Sequence, residues 1–202
     1  YYDYEGNETP LLKVLHDNGI NYIRIRIWND PFNADRETYG GGGNDVSTGV
    51  EIAKEAAQYD MKVLLDFHYS DFWAEPAVQL VPKAWKKDVN NTEKMCSDVY
   101  DFTKESIQKF KDAGANIGMV QVGNEITNGL LGIYSNRDKG ESFNVIWGDK
   151  KKSTEVNKYL KAGIKAVREY TPQALVALHL ETPNVWKYKT IMNTWKRDNV
   201  DY

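Results

Sequence analysis

Four times along this chain a run with apolar residues at alternate positions carries charged or imidazole side chains toward its carboxyl end. The runs are Asn21 to Trp28, Lys62 to His68, Met119 to Glu125 and Leu175 to Glu181. Period-two alternation marks a strand whose successive side chains point to opposite faces. One face is wholly apolar in each run: Ile23, Ile25 and Ile27; Val63, Leu65 and Phe67; Val120 and Val122; Val176, Leu178 and Leu180. The other face carries Arg24, Arg26 and Trp28; Asp66 and His68; Gln121 and Glu125; His179 and Glu181. Its charged groups gather toward the carboxyl ends, whereas Leu64, Met119 and Ala177 lie nearer the amino ends.

Single helical patterns separate these strands, over Leu11–Leu15, Ser47–Tyr59, Thr92–Ala113, Ser153–Tyr170 and Val185–Trp195. Asn18-Gly19 ends the first of them as a C-cap pair. Strands joined through one helix imply right-handed βαβ units and a parallel sheet. A doubly wound sheet is covered by helices on both faces, and its strands read as apolar on both. Strands with one apolar face and a polar carboxyl end instead fit a (β/α)8 TIM barrel, whose inner face opens into a ligand-binding mouth. The long segments follow the strands and the helix-to-strand turns are short, which also places a site at the carboxyl ends. A complete barrel takes about 250 residues. The expected fold for this chain of 202 residues is therefore one incomplete barrel domain over residues 1–202, with Val200 to Tyr202 opening a further strand.

Composition excludes some partners. A formal net charge of −3 leaves no basic footprint for a nucleic acid. Lys150 to Lys152, the one basic cluster, reads as a solvated loop ahead of a helix. No apolar run approaches the roughly 18 residues of a membrane span. The single Cys96 excludes an intramolecular disulfide and reads as a small apolar residue on the long helix. Gly40 to Gly43 has neither phosphate-loop nor GxGxxG spacing and reads as a flexible loop. The 13 Tyr and 6 Trp include several in polar loops, where flat rings suit stacking on a sugar.

The mouth itself suits glycoside hydrolysis, which needs one carboxyl group to protonate the leaving oxygen and a second as nucleophile or base. Glu125 closes the run Met-Val-Gln-Val-Gly-Asn-Glu. Gly123 allows close approach to the backbone there, and Asn124 is placed to bind a sugar hydroxyl beside the scissile bond. His68 and His179 could ligate a metal with Asp66 and Glu181, but no HxH or HExxH spacing supports this, and a hydrogen-bonding role is preferred. Arg26 is expected to pair with a carboxylate, either orienting it for catalysis or holding the barrel interior; sequence does not separate the two.

The segments Asn21-Tyr-Ile-Arg-Ile-Arg-Ile-Trp-Asn-Asp-Pro31, Lys62-Val-Leu-Leu-Asp-Phe-His-Tyr-Ser-Asp-Phe-Trp73 and Met119-Val-Gln-Val-Gly-Asn-Glu125 resemble glycoside hydrolase family 53, the arabinogalactan endo-β-1,4-galactanases. The resemblance covers essentially the whole chain. It implies a retaining enzyme of the large clan of (β/α)8 glycosidases, with the strands here corresponding to the second to fifth of the barrel. It also implies that Glu125 is the acid/base and that Asn124 contacts the sugar 2-hydroxyl. Arg26, Trp28, Asp66, His68 and Trp73 match motif positions around the cleft, and His179 is taken as a substrate-binding residue with them. The family's nucleophile is a Glu ending the seventh strand, which these residues do not reach. Glu181 lies on the strand next to Glu125 and not across the cleft from it, so it is read as a cleft or structural residue.

The expected activity is thus internal cleavage of β-1,4-galactan in pectin side chains, with no cofactor; some relatives hold a structural calcium ion in later loops. The 202 residues alone are expected to be inactive, the nucleophile lying elsewhere. A monomer located outside the cell or at its surface is expected, because a polymer does not readily enter a cell; no signal peptide is present in the chain. The rivals are another clan member acting on mannan, xylan or β-glucan, and a sugar-binding partial barrel without catalysis.

Overall fold

The computed structural model describes residues 1–202. Its strands are β1 (Tyr22–Ile27), β2 (Lys62–Phe67), β3 (Ile117–Val122), β4 (Gly129–Leu130), β5 (Ile133–Tyr134) and β6 (Leu175–Ala177). The helices are α1 (Leu11–Asp17), α2 (Val46–Ala57), α3 (Thr92–Asp112), α4 (Asn144–Trp147), α5 (Lys150–Tyr170) and α6 (Val185–Asp198). A parallel sheet runs in the order β1-β2-β3-β6, while β4 and β5 form a separate antiparallel hairpin. Each strand of the main sheet pairs with the next one along the chain. A doubly wound sheet would reverse direction at a switch point, so this order is that of an arc of a (β/α)8 barrel.

The apolar faces of β1, β2 and β3 are buried as their periodicity requires, Ile23 only in part, whereas Val176, Leu178 and Leu180 are partly buried against the same core. Ile25, Ile27, Val63, Leu65, Phe67, Val120 and Val122 join Ala53, Val99, Ile107, Phe110, Leu160 and Val167 of the helices in one hydrophobic core. The helices pack on each other in chain order, α2 on α3, α3 on α5 and α5 on α6. At Gly163 helix α5 comes so close to the sheet that a Cβ would stand 2.6 Å from the Tyr69 hydroxyl and 2.8 Å from Val122. Removing these apolar faces from water is the main stabilising term, at roughly 25 cal/mol per Å².

Four expectations need correction. Strand β3 stops at Val122, because Gly123 takes φ +85° and turns the chain out of the ladder. Consequently Asn124 and Glu125 sit on a turn above the strand. Strand β6 ends at Ala177, not Glu181, since its ladder with β3 closes at the Gln121–Ala177 pair. Beyond it, the His179 carbonyl accepts from the Ile126 N–H and the Glu181 N–H donates to the Thr127 hydroxyl. The segment thus follows the turn after β3 instead of pairing with a strand. Lys150 to Lys152 form the first turn of α5 and not a loop. Three lysines there oppose the helix dipole, which the Asp149 cap offsets by accepting from the Lys152 N–H at 3.0 Å. Those backbone N–H groups hold the Asp149 carboxyl below its usual range. Finally, Val200 to Tyr202 form no strand, although Val200 is buried and bonded to the Trp195 carbonyl.

Candidate active site

Arg26, Asp66 and Gln121 stand level on neighbouring strands of the inner face, with Arg24 two residues below Arg26. Around them and Glu125 lies a cavity of about 220 Å³, lined by Arg24, Arg26, Asp66, His68, Trp73, Asn124 and Glu125. A larger hollow of about 790 Å³, among Tyr39, Phe72, Leu80, Val81, Lys83 and Tyr134, shares no residue with it. The smaller cavity holds the convergent charged groups that chemistry needs.

Asp66 is the buried anchor of this cluster. Only 2% exposed, it accepts from the Gln121 Nε2 at 2.5 Å and pairs with the Arg24 guanidinium at 2.9 Å. A buried carboxylate is tolerated only when paired and hydrogen-bonded, and both conditions are met. The same Arg24 Nη2 donates to Gln121 Oε1 at 3.0 Å and to Asn124 Oδ1 at 2.8 Å. Arg24, not Arg26, therefore holds the carboxylate, which corrects the sequence reading. Arg26 instead lies 4.0 Å above the Trp73 ring and 4.8 Å from that of Trp28, and it donates to Asn44. Burial pushes its pKa down, partly offset by the charge of Asp66.

His68 accepts from the Ala74 N–H through Nδ1 at 3.1 Å. In the neutral ring the proton then sits on Nε2. That nitrogen is 3.3 Å from Asp66 Oδ2, at ion-pair distance but without hydrogen-bond alignment. Trp73 is 44% exposed and offers a ring to the cavity. Trp28 does not: it is fully buried among His68, Phe72 and Trp73, with ring centroids 4.9 Å apart for Phe72. It supports the platform from behind and makes no face available to a sugar, a second correction.

Asn124, 5% exposed, has its Oδ1 surrounded by Arg24, Gln121 at 3.2 Å and the His179 Nδ1 at 2.9 Å. Its Nδ2 donates to the Ala74 carbonyl at 2.8 Å, leaving one amide hydrogen for a ligand. Glu125 is left-handed, with φ 48° and ψ 47°. That conformation costs a non-glycine residue about 1–2 kcal/mol, and such strain persists where the surroundings over-determine it. Its own N–H points at the His179 Nδ1, 3.3 Å away.

His179 thus touches the turn carrying Glu125. Burial lowers its pKa below the ordinary 6.5, the positive Arg24 adding to this and the negative Glu125 opposing it. The folded state therefore prefers neutral His179, while the unfolded chain takes up a proton near pH 6.5. Stability from this group is complete above that pH and declines as pH falls toward the depressed folded value. Thermal melts of His179→Asn against the parent are expected to show a shallower loss of stability below pH 6.5. Equal slopes would count against a neutral His179.

Sequence reasoning missed Arg24 as the hub, Gln121 as its partner, and the segment Ala74 to Gln79, which meets the site through the backbone of Ala74 and Pro76 and the side chain of Gln79. No three His, Cys, Asp or Glu side chains come together as metal ligands, the imidazoles being turned to Ala74 and Asn124. Glu181 is 3.8 Å from the Lys187 ammonium. No helix is long and apolar enough to cross a membrane.

Comparison with known proteins gives one consistent result. The description "Glycosyl hydrolase family 53" matches residues 1–202. An endo-beta-1,4-galactanase of Bacillus subtilis is 41% identical over all of this chain and 43% of its own length. Among solved structures, the GH53 catalytic domain of Ignisphaera aggregans superposes with a TM-score of 0.86 at 34% identity, over 100% of this chain and 52% of that one. A structure of fungal beta-1,4-galactanases gives a TM-score of 0.74 at 27% identity, over 98% and 52%. The chain spans about half the length of these relatives.

Proposed function

The chain belongs to glycosyl hydrolase family 53, and from that premise we propose that the protein carrying it cleaves internal β-1,4-galactosidic bonds of galactan with retention. The supporting observation is Glu125, half-buried and strained, at the rim of a cavity whose other walls are a stacking ring and a polar cluster built on the Arg24–Asp66–Gln121–Asn124 hydrogen bonds.

Glu125 acts as the proton donor. As a nucleophilic carboxylate attacks the anomeric carbon, the Glu125 proton passes to the glycosidic oxygen, and the shortened galactan leaves as an alcohol. Glu125, now a carboxylate, takes a proton from the water that releases the glycosyl-enzyme. Retaining pairs stand about 5–5.5 Å apart across the cleft. Glu181 is a poor partner for Glu125, since it follows the adjacent strand and faces Lys187. The nucleophile is assigned to another strand of the barrel.

The remaining hydrogen of Asn124 Nδ2 is directed to the sugar 2-hydroxyl, a contact that strengthens as the oxocarbenium character develops. Trp73 stacks on a galactosyl face, its own orientation set by Arg26 above the ring. His68 and Asp66 bind sugar hydroxyls or hold those that do. A polymeric substrate places the protein outside the cell or on its surface. The intact protein, offered β-1,4-galactan beside mannan, xylan and β-glucan, is expected to release short oligosaccharides from galactan alone. Cleavage of another polymer with galactan untouched would overturn the substrate assignment.

A further inference from the structure

We propose that Gln79 is a positioning residue for the acid/base Glu125; this rests on the role given to Glu125 above. Gln79 is 1% exposed and does not line the cavity, so it touches no substrate. The two hydrogens of its Nε2 go to the carbonyls of Asn124 at 2.9 Å and Glu75 at 3.1 Å, with the adjacent Glu125 carbonyl sharing in the bond at 3.3 Å. Two of these three carbonyls belong to the turn that presents Glu125.

The need for such a donor follows from the backbone. Once Gly123 leaves the ladder and Glu125 adopts φ 48° as the N-cap of a single 3-10 turn over Ile126–Asn128, the Asn124 carbonyl lies outside any strand or helix and the Glu125 carbonyl stands at a helix start of one turn. Buried carbonyls require a donor, and the left-handed conformation needs something to hold it. Gln79 supplies the donor from a neighbouring loop. Glu75 and Val78 exchange backbone hydrogen bonds at 2.9 and 3.0 Å, closing a tight turn immediately before Gln79. The Gln79 carbonyl is fixed in its turn by the Gly132 N–H at 2.6 Å. Its Oε1 is buried and has no partner, so the amide is placed for its hydrogens alone. The same loop takes the Asn124 Nδ2 on the Ala74 carbonyl and the Asn128 Nδ2 on the Pro76 carbonyl. The loop after β2 thus clasps the catalytic turn, with Gln79 as the one side chain that reaches both of its carbonyls.

Loss of the amide should let the turn relax toward ordinary backbone angles and carry the Glu125 carboxyl off the glycosidic oxygen. Proton donation is then impaired while sugar binding is not. The test compares kcat/KM of the intact protein on galactan, whose leaving group needs a proton, with a dinitrophenyl β-galactobioside, whose leaving group needs none. Gln79→Met keeps the size and removes the donor. It is expected to lose about 10²-fold on galactan, the penalty of an ångström-scale misplacement, and to stay near the parent on the aryl substrate. The ratio of the two rates does not depend on how much of the sample is folded. Should Gln79→Met not fold at all, Gln79→Asn, which keeps the amide one methylene short, is read by the same ratio. Equal losses on both substrates would overturn the proposal and leave Gln79 a purely structural residue. Glu125→Ala serves as the reference: if it spares the aryl substrate and Gln79→Met does not, only the inference about Gln79 fails. If Glu125→Ala also loses both substrates equally, the acid/base role itself fails.

Discussion

Glu125→Gln is expected to slow galactan cleavage by about 10²–10⁴-fold, the usual worth of a positioned proton donor. Gln keeps the shape and cannot donate an acidic proton, so binding is expected to persist and KM to change little. The fold should tolerate it. Glu125 is held through its backbone, its carbonyl toward the Gln79 amide and the next N–H, that of Ile126, on the His179 carbonyl. Kinetics on galactan beside a thermal melt would check both halves: a large fall in kcat with an unchanged melting temperature. A small fall in kcat would move the proton donor elsewhere.

The second large effect is expected at Arg24. Its guanidinium bonds Asp66, Gln121 and Asn124 together, and the Asp66 carboxylate is buried. Stripping one partner from a buried ion pair costs about 3–5 kcal/mol. The Arg24 side chain is itself 46% exposed, so solvent already screens part of the pair. Arg24→Leu should therefore cost about 2 kcal/mol in urea unfolding. It should also cut kcat more than tenfold, because Asn124 loses the donor that fixes its Oδ1. Arg26→Leu makes the contrast. Arg26 gives up a cation–π contact over Trp73, worth about 0.5–1 kcal/mol at such a site, and its raised KM should exceed its effect on kcat. If the two variants behaved in the reverse order, the sequence assignment of Arg26 to the carboxylate would stand against the geometry.

That reversal shows where sequence reading stops. Arg24 and Arg26 are the same residue type on the same strand face, and only the tilt and reach of each side chain separate them. Arg26 is captured by two indoles, and Arg24 is left to extend toward the carboxyl end. Trp28 was legible as an inner-face aromatic, but not as a ring sealed behind Phe72 and Trp73, because that depends on a loop more than forty residues away. The strand faces and most of the core were legible, since period two is a local property. Helix starts shifted by a residue or more where a cap residue set them, as at Asp45 and Asp149. Strand ends were not legible. Glu125 carries a recognisable motif, yet its left-handed turn is held by His179 and Gln79 from other segments. Gln79 left no pattern at all, as it works on main-chain carbonyls.

The chemical role of Glu125 can be read in one product. In Glu125→Ala, azide can replace water in releasing the glycosyl-enzyme, because it needs no general base. With an activated galactoside and azide, the intact protein carrying this substitution is expected to recover turnover and to yield the β-galactosyl azide. No recovery, or an α-galactosyl azide, would contradict Glu125 as the acid/base of a retaining galactanase.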